Sequence, residues 1–348
     1  MFAKKSASFS KTKILFRCDA ANVPEIGTGH LFRCITIARY LKSRFNLKYK
    51  DISFLIKTKS DFKIGYDIIK KYKFNIIQIK KTNFKLNSRE ELEYIVKNPA
   101  RLLIIDRMGK TNKYFVNKIQ NYFNRKIIID DASKYRKYFD ISINPMVHKV
   151  SKQFNSYIGF NYLILPVFFF NHIKDKSRNN NIFIFFGGHD QKKLNAKILK
   201  ILNKIDLNLK IYVSSLIKNQ LVGKKFKHKI IFFRPNEYLK KLNLCKISIT
   251  AGGLSLFDNI VMNKKIICIP QYKHQEENIN NMGSKKVVNL IKVESKNFEK
   301  KFKKIFINFF NNISQNKDIL LEQKKIASIY KIKKTLLLIE KVYAKSKN

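Results

Sequence analysis

Short apolar runs bounded by polar turns alternate with stretches of helical periodicity along almost the whole chain. In the first half, residues 14–17, 52–56, 74–79, 102–105, 126–129 and 141–144 read as strands. Residues 30–45, 61–72, 88–97 and 112–123 read as helices between them, and Ser88 followed by Glu91 spells a capping box for the third. A second series has strands at 182–186, 209–213, 230–233, 247–250 and 266–269, with helices at 191–205, 236–242, 254–262 and 276–282. The tail from Phe298 reads as two helical segments. This alternation predicts an α/β fold of two Rossmann-like domains, each a mostly parallel sheet with helices on both faces. The expected division is residues 1–170, a polar linker at 171–181, and 182–348 with the C-terminal helices. Two such domains are expected to face each other across a cleft.

A chain of 348 residues that is 45% hydrophobic can bury a core in each of two domains. The N-terminus is polar, and the longest apolar run, residues 162–170, is too short to span a bilayer, so the expected compartment is the cytoplasm, with no transmembrane segment. Cys18, Cys34, Cys245 and Cys268 lack paired spacing and read as buried reduced thiols.

The formal charge of +48 suggests a polyanion partner on first reading. The lysines, however, are spread along the chain among apolar residues, Trp is absent, and Gly and Pro number only 11 and 6. That is the signature of a biased genome, so no dedicated nucleic-acid partner is expected. The positive field is expected to recruit an anionic nucleotide or to associate weakly with an anionic membrane surface. A noncatalytic basic binding protein remains as an alternative, one whose affinity falls steeply with salt and is indifferent to any single histidine.

The most informative segment is EIGTGHLFRC, Glu25 to Cys34, a glycine-rich turn between the first strand and an amphipathic helix. Gly27, Thr28 and Gly29 allow close approach of backbone to ligand, and the positive helix end attracts an anion. His30 then stands beside that anion. The same helix end biases the imidazole toward its neutral, proton-accepting form, which suits a general base. The competing role is a histidine that caps the helix and packs inward.

Two more glycine pairs follow strands, Gly187 and Gly188 in FFGGHD and Gly252 and Gly253 in TAGGLSLFD. Three such turns, each ahead of a helix, point to a phosphate-bearing ligand, although glycines also simply make turns. A dinucleotide fingerprint fails because Phe32 stands where glycine is required, and Gly223–Lys224 lacks the upstream glycine of a P-loop. His189 and His274 read as binding or structural residues, and His148, His172 and His228 as solvated ones. No histidine shows metal-ligand spacing, so neither metal nor cofactor is expected. Asp130 and Asp131 read as turn caps, with sugar binding as the alternative. Asp106 reads much the same, whereas Asp19 lies close enough to the His30 turn to orient the imidazole or a sugar hydroxyl.

RCDAANVPEIGTGHLFRCITIA, from Arg17 to Ala38, closely resembles the opening of the UDP-sugar hydrolases of pseudaminic acid biosynthesis and their spore-coat-polysaccharide relatives. FFGGHD, TAGGLSLFDNIVMNKKIICIP and HQEENI resemble that family's later motifs in the same order. These later motifs are shared more loosely with two-domain glycosyltransferases of the GT-B type. The resemblance implies a first domain carrying the sugar and the catalytic base, which maps onto His30. It implies a second domain holding UDP, with Gly252, Gly253 and Leu254 at the diphosphate and Asp258 near the ribose. His274, Gln275 and Asn278 map beside the sugar or phosphates, and Gly187 and Gly188 onto the floor of the cleft. The chain departs from the family at Asp258, usually glutamate, at His274, usually asparagine, and at Met108, usually tyrosine. The implied reaction is attack of water on the anomeric carbon with inversion, releasing UDP and a free amino or deoxy sugar for a surface polysaccharide or sialic-acid-like product. A glycosyltransferase using the same donor is the alternative.

Overall fold

The computed structural model describes residues 12–21, 23, 26–80, 86–146, 150–169, 178–188, 190–282, 287–311, 317–330 and 333–346. The chain divides into two compact units, Met1–Ile164 with Lys333–Asn348, and Leu165–Ile332.

The first unit runs β1 (Ile14–Cys18), α1 (Gly29–Arg44), β2 (Ile52–Lys57), α2 (Lys63–Lys71), β3 (Asn75–Ile79), α3 (Arg89–Val96), β4 (Leu102–Gly109), α4 (Lys113–Gln120), β5 (Arg125–Asp131), β6 (Ile141–Asn144) and β7 (Ser156–Ile158). Its strands form one sheet in the order β3-β2-β1-β4-β5-β6-β7, and every pairing is parallel. Strands β1 and β2 are buried along their entire length, which explains why they read as continuous apolar runs rather than alternating ones. Leu15, Leu103, Ile105 and Ile128 pack one face against Phe115 and Ile119 of α4 and Ile95 of α3. On the other face, Phe16 stacks on Phe54 at 4.8 Å.

From β1 the chain builds outward through β2 and β3, then returns to place β4 on the opposite side of β1. The order therefore reverses between β1 and β4, and the crevice outside their carboxyl ends is where such sheets bind ligands. Cys18, the last residue of β1, lies directly opposite Asp106 of β4.

The second unit contains β8 (Arg178–Phe185), α5 (Leu194–Leu202), β9 (Lys210–Ser214), β10 (Lys229–Phe233), α6 (Tyr238–Asn243), β11 (Cys245–Thr250), α7 (Leu254–Val261), β12 (Lys265–Cys268), α8 (Lys273–Asn280), β13 (Asn289–Leu290), α9 (Phe298–Phe310) and α10 (Lys317–Tyr330). Its parallel sheet has the order β10-β9-β8-β11-β12-β13, so the reversal falls between β8 and β11. Both glycine pairs of this half follow those two strands.

Three sequence expectations need correction. The final helix, α11 (Lys334–Lys345), belongs to the first unit, so the second does not extend to the C-terminus. There Leu336 and Ile339 are buried, Tyr343 meets the Phe45 ring edge-on at 4.7 Å, and Glu340 binds Tyr40 and Arg44. Among the described residues the tail thus holds three helices rather than two. Residues 178–181, expected to close the linker, begin β8, while the rest of the expected linker lies outside the described residues. Strands β7 and β13 went unread because 3 and 2 residues are too few to show a period.

Candidate active site at the switch point of the first sheet

His30 is the second residue of α1, and its N-terminal turn carries neither a capping side chain nor an acidic residue. Gly27 takes a positive φ of 54°, and a Cβ at Gly27 or Gly29 would meet open space. The turn therefore exposes backbone instead of packing it, and the Thr28 carbonyl accepts the Phe32 N–H at 3.1 Å.

The His30 side chain is 14% exposed, and its Nδ1 lies 2.7 Å from Oδ1 of the fully buried Asp106. Arg33, one turn along α1, grips the same carboxylate with both arms, Nε to Oδ2 at 3.0 Å and Nη2 to Oδ1 at 2.6 Å. Nη2 also donates to Asp130 Oδ2 at 2.5 Å and stands 2.8 Å from His30 Nδ1. Counting hydrogens resolves this crowding. Nη2 has two, and the two carboxylates take both, so nothing is left to donate to the imidazole. Nδ1 must therefore carry its own hydrogen and give it to Asp106. In the neutral ring this leaves Nε2 as the proton acceptor, an assignment made by hydrogen-bond bookkeeping.

Burial opposes the charge on Arg33, but Asp106 and Asp130 more than offset it and hold the guanidinium firmly cationic. Burial likewise opposes the Asp106 carboxylate, yet Arg33 and His30 keep it below the ordinary carboxylate range. Asp130 adopts a left-handed backbone at φ 60°, which aims its side chain into this cluster, and its buried Oδ1 has no hydrogen-bond partner. Asp131 does cap the turn, accepting from the Thr111 and Ser133 amides at 2.7 Å.

Asp19, expected near the imidazole, is instead held by Arg17 at 2.8 Å and by the Lys57 amide at 2.9 Å. Asp106 does the orienting that sequence reading offered to Asp19. Arg17 in turn donates to Glu91, which also binds Arg107 and the Asn87 amide. Ser88 caps α3 as its spelling predicts, but the Glu91 carboxylate serves this buried network.

In the second unit, Gly187 has a φ of 91°, open only to glycine at little cost, and Gly188 follows it in the same turn. Gly252 is required for a different reason: a Cβ there would collide with the Gln275 carbonyl and lie 2.9 Å from its carbon. Gly253 precedes α7, whose first turn, starting at Leu254, has no capping side chain and no acidic residue. Asn278 of α8 donates to the Gly252 carbonyl at 3.0 Å, and Gln275 accepts the Gln271 amide at 2.8 Å. Asn278 is thus bonded to the turn that opens α7, and Gln275 packs against that turn at Gly252. His274 is exposed, its ring stacked on Tyr272 at 5.4 Å. Asp258 is 2% exposed, accepts the Val167 amide at 3.3 Å, and is pushed by burial up to about 8. His228 is also buried, against expectation, with Nε2 2.8 Å from the Leu202 carbonyl. His148, His172 and His189 lie outside the described residues.

Among the described residues, His30, Asp106 and Asp130 are the group whose donor atoms could gather on a metal ion, all within 4.8 Å of one another. The sequence hid this because α1, β4 and β5 supply one residue each.

No family model matches the chain. It is 24% identical over 193 residues to a Helicobacter pylori pseudaminic acid cytidylyltransferase and UDP-2,4-diacetamido-2,4,6-trideoxy-beta-L-altropyranose hydrolase, covering 56% of this chain and 34% of that protein. It is 27% identical over 194 residues to the Bacillus subtilis spore coat polysaccharide biosynthesis protein SpsG, covering 50% of this chain and 57% of that one. The chain resembles both groups named from its motifs. A third match, 26% over 335 residues, is to 24% of a Carsonella ruddii DNA-directed RNA polymerase subunit beta. Chains weighted toward Lys, Asn, Ile and Phe gain identity from composition alone, and that match carries no functional argument. The chain thus spans 24%, 34% and 57% of the lengths of these curated relatives.

Among solved structures, Acinetobacter baumannii MurG matches with a TM-score of 0.54 and 11% identity, over 96% of this chain and 99% of that one. Os79 from O. sativa, in complex with U2F and trichothecene, matches with a TM-score of 0.63 and 10% identity, over 95% and 100%. These likenesses show the fold, that of GT-B glycosyltransferases.

Proposed function

We propose that this protein hydrolyses a UDP-sugar, with His30 as the general base. The observation that carries the reading is the His30–Asp106 hydrogen bond at the switch point, which fixes Nε2 as the acceptor on a partly exposed imidazole. The resemblance to a hydrolase of this class and the GT-B fold support it. A water oxygen attacks the anomeric carbon while its proton moves to Nε2. The bond from that carbon to the diphosphate oxygen breaks, and UDP leaves with the electron pair. Asp106 stabilises the imidazolium as it forms.

Because UDP is a good leaving group once its charge is neutralised, this chemistry needs no paired glycosidase carboxylates. The reading assigns the diphosphate to the uncapped amides at the start of α7, where Gly252 and Gly253 admit it and Leu254 opens the helix. Asp258 then serves near the ribose, with Gln275 and Asn278 shaping the same turn. No metal or cofactor is required, and the product feeds a surface polysaccharide or a sialic-acid-like sugar in the cytoplasm.

The fold neighbours favour a second reading, a glycosyltransferase in which an acceptor hydroxyl replaces water. Incubation with UDP-sugars and no acceptor separates the two. Equal amounts of UDP and free sugar support hydrolysis, and release that depends on an added acceptor rejects it.

A further inference from the structure

Arg33 occupies an unusual place. Its Nη2 lies 2.6 Å from Asp106 Oδ1, 2.5 Å from Asp130 Oδ2 and 2.8 Å from His30 Nδ1. Those residues form the metal-capable group of the site, so the cationic nitrogen stands at the common meeting point of their donor atoms. Two aspartates and an imidazole are a ligand set that suits divalent transition metals such as Zn²⁺ or Mn²⁺.

We propose that Arg33 is a built-in cation that takes the position a divalent metal would fill, keeping this site metal-independent and holding His30 and Asp106 in register. Three features carry the inference. The guanidinium is buried at 3% exposure, so its charge is not screened by water as a surface arginine's would be. Both carboxylates that a metal would need are already engaged by it, Asp106 through two parallel bonds and Asp130 through Oδ2. The strained left-handed backbone of Asp130 turns a second carboxylate toward the same nitrogen, which a mere turn cap has no need to do. Without Arg33, two buried carboxylates would share the space with no counterion, an arrangement that draws in another cation. Arg33 is accordingly a positioning residue: it acts through His30 and Asp106, and the inference rests on the proposed role of His30 only for its catalytic consequence.

The test is metal binding by the purified full chain, stripped with EDTA and titrated with Zn²⁺ or Mn²⁺ alone in a calorimeter. The wild type and Arg33→Lys are expected to take up no stoichiometric metal, and turnover of the wild type is expected to survive EDTA. Arg33→Ala opens the position and is expected to bind about one equivalent, with a gain of at least about 100-fold in affinity that is lost again when Asp130→Asn is added. Arg33→Gln preserves the packing if the alanine variant fails to fold, and is expected to behave the same way. Stoichiometric metal on the wild type, or no uptake by a folded Arg33→Ala or Arg33→Gln protein, overturns the proposal, as does failure of both variants to fold even with Zn²⁺ present. The metal-uptake readouts involve no nucleotide. A wild type that excludes metal but releases no UDP would refute the hydrolase reading and leave the role of Arg33 intact.

Discussion

His30 Nδ1 and Asp106 Oδ1 meet at 2.7 Å although 76 residues separate them in sequence. The contact exists because β1 and β4 are neighbours in a sheet whose order reverses between them, bringing the start of α1 over the end of β4. Asp106→Asn preserves shape but presents an amide that can donate to Nδ1, which moves the imidazole proton to Nε2 and removes the base. The expected result is a fall in kcat of about 100-fold or more with KM changed only several-fold, read from steady-state UDP release.

Gly252 tests the diphosphate assignment. Any side chain there strikes the Gln275 carbonyl, so Gly252→Ala must push α8 away from α7 or abandon the native turn. The variant is expected to lose about 1–3 kcal/mol of stability, seen by thermal unfolding, and to bind UDP measurably more weakly by calorimetry.

Glu91 tests the network beneath the site. Burial opposes its charge, but Arg17 and Arg107 hold the carboxyl down to about 2, so its contribution is complete above the ordinary value of 4.5 and fades as pH falls toward 2. Glu91→Gln takes the paired carboxylate from buried Arg107, leaves buried Arg17 with Asp19 alone, and is expected to cost about 3 kcal/mol near neutral pH by urea unfolding. That deficit should shrink as pH falls below 4.5.

Asp258 has the opposite sign. Burial raises its carboxyl from 3.8 to about 8 against the pull of the Val167 amide, so the folded state keeps a proton that the unfolded chain has released. Its stabilising influence is full below 3.8 and is lost as pH climbs to about 8. Asp258→Asn keeps the acceptor for Val167 but not the titration. Urea midpoints at about pH 5 and about pH 8 should show the variant gaining on the wild type as pH rises.

Sequence reading succeeded where a local rule governs the outcome. Continuous apolar runs marked the buried strands, the Ser88 spelling marked the start of α3, and the glycine turn marked the start of α1. It fell short where the outcome is set by which strands become neighbours. Asp106 and Asp130 looked like ordinary turn residues because nothing near them in the chain names Arg33, which lies 73 and 97 residues away from them along the chain. Asp19 sits closer to His30 in sequence, but the Arg17 side chain two residues back and the Lys57 amide at the end of β2 hold it elsewhere. Arg33 carried the one available signal, a charged residue on the otherwise apolar inner face of α1, where burial demands partners.

The most direct measurement is acceptor-free UDP release by His30→Ala beside the wild type, with UDP affinity measured on both. A fall of about 10² to 10⁴ in turnover with UDP binding retained within several-fold is the predicted result. Full turnover in the variant would contradict the assignment of His30 as the base.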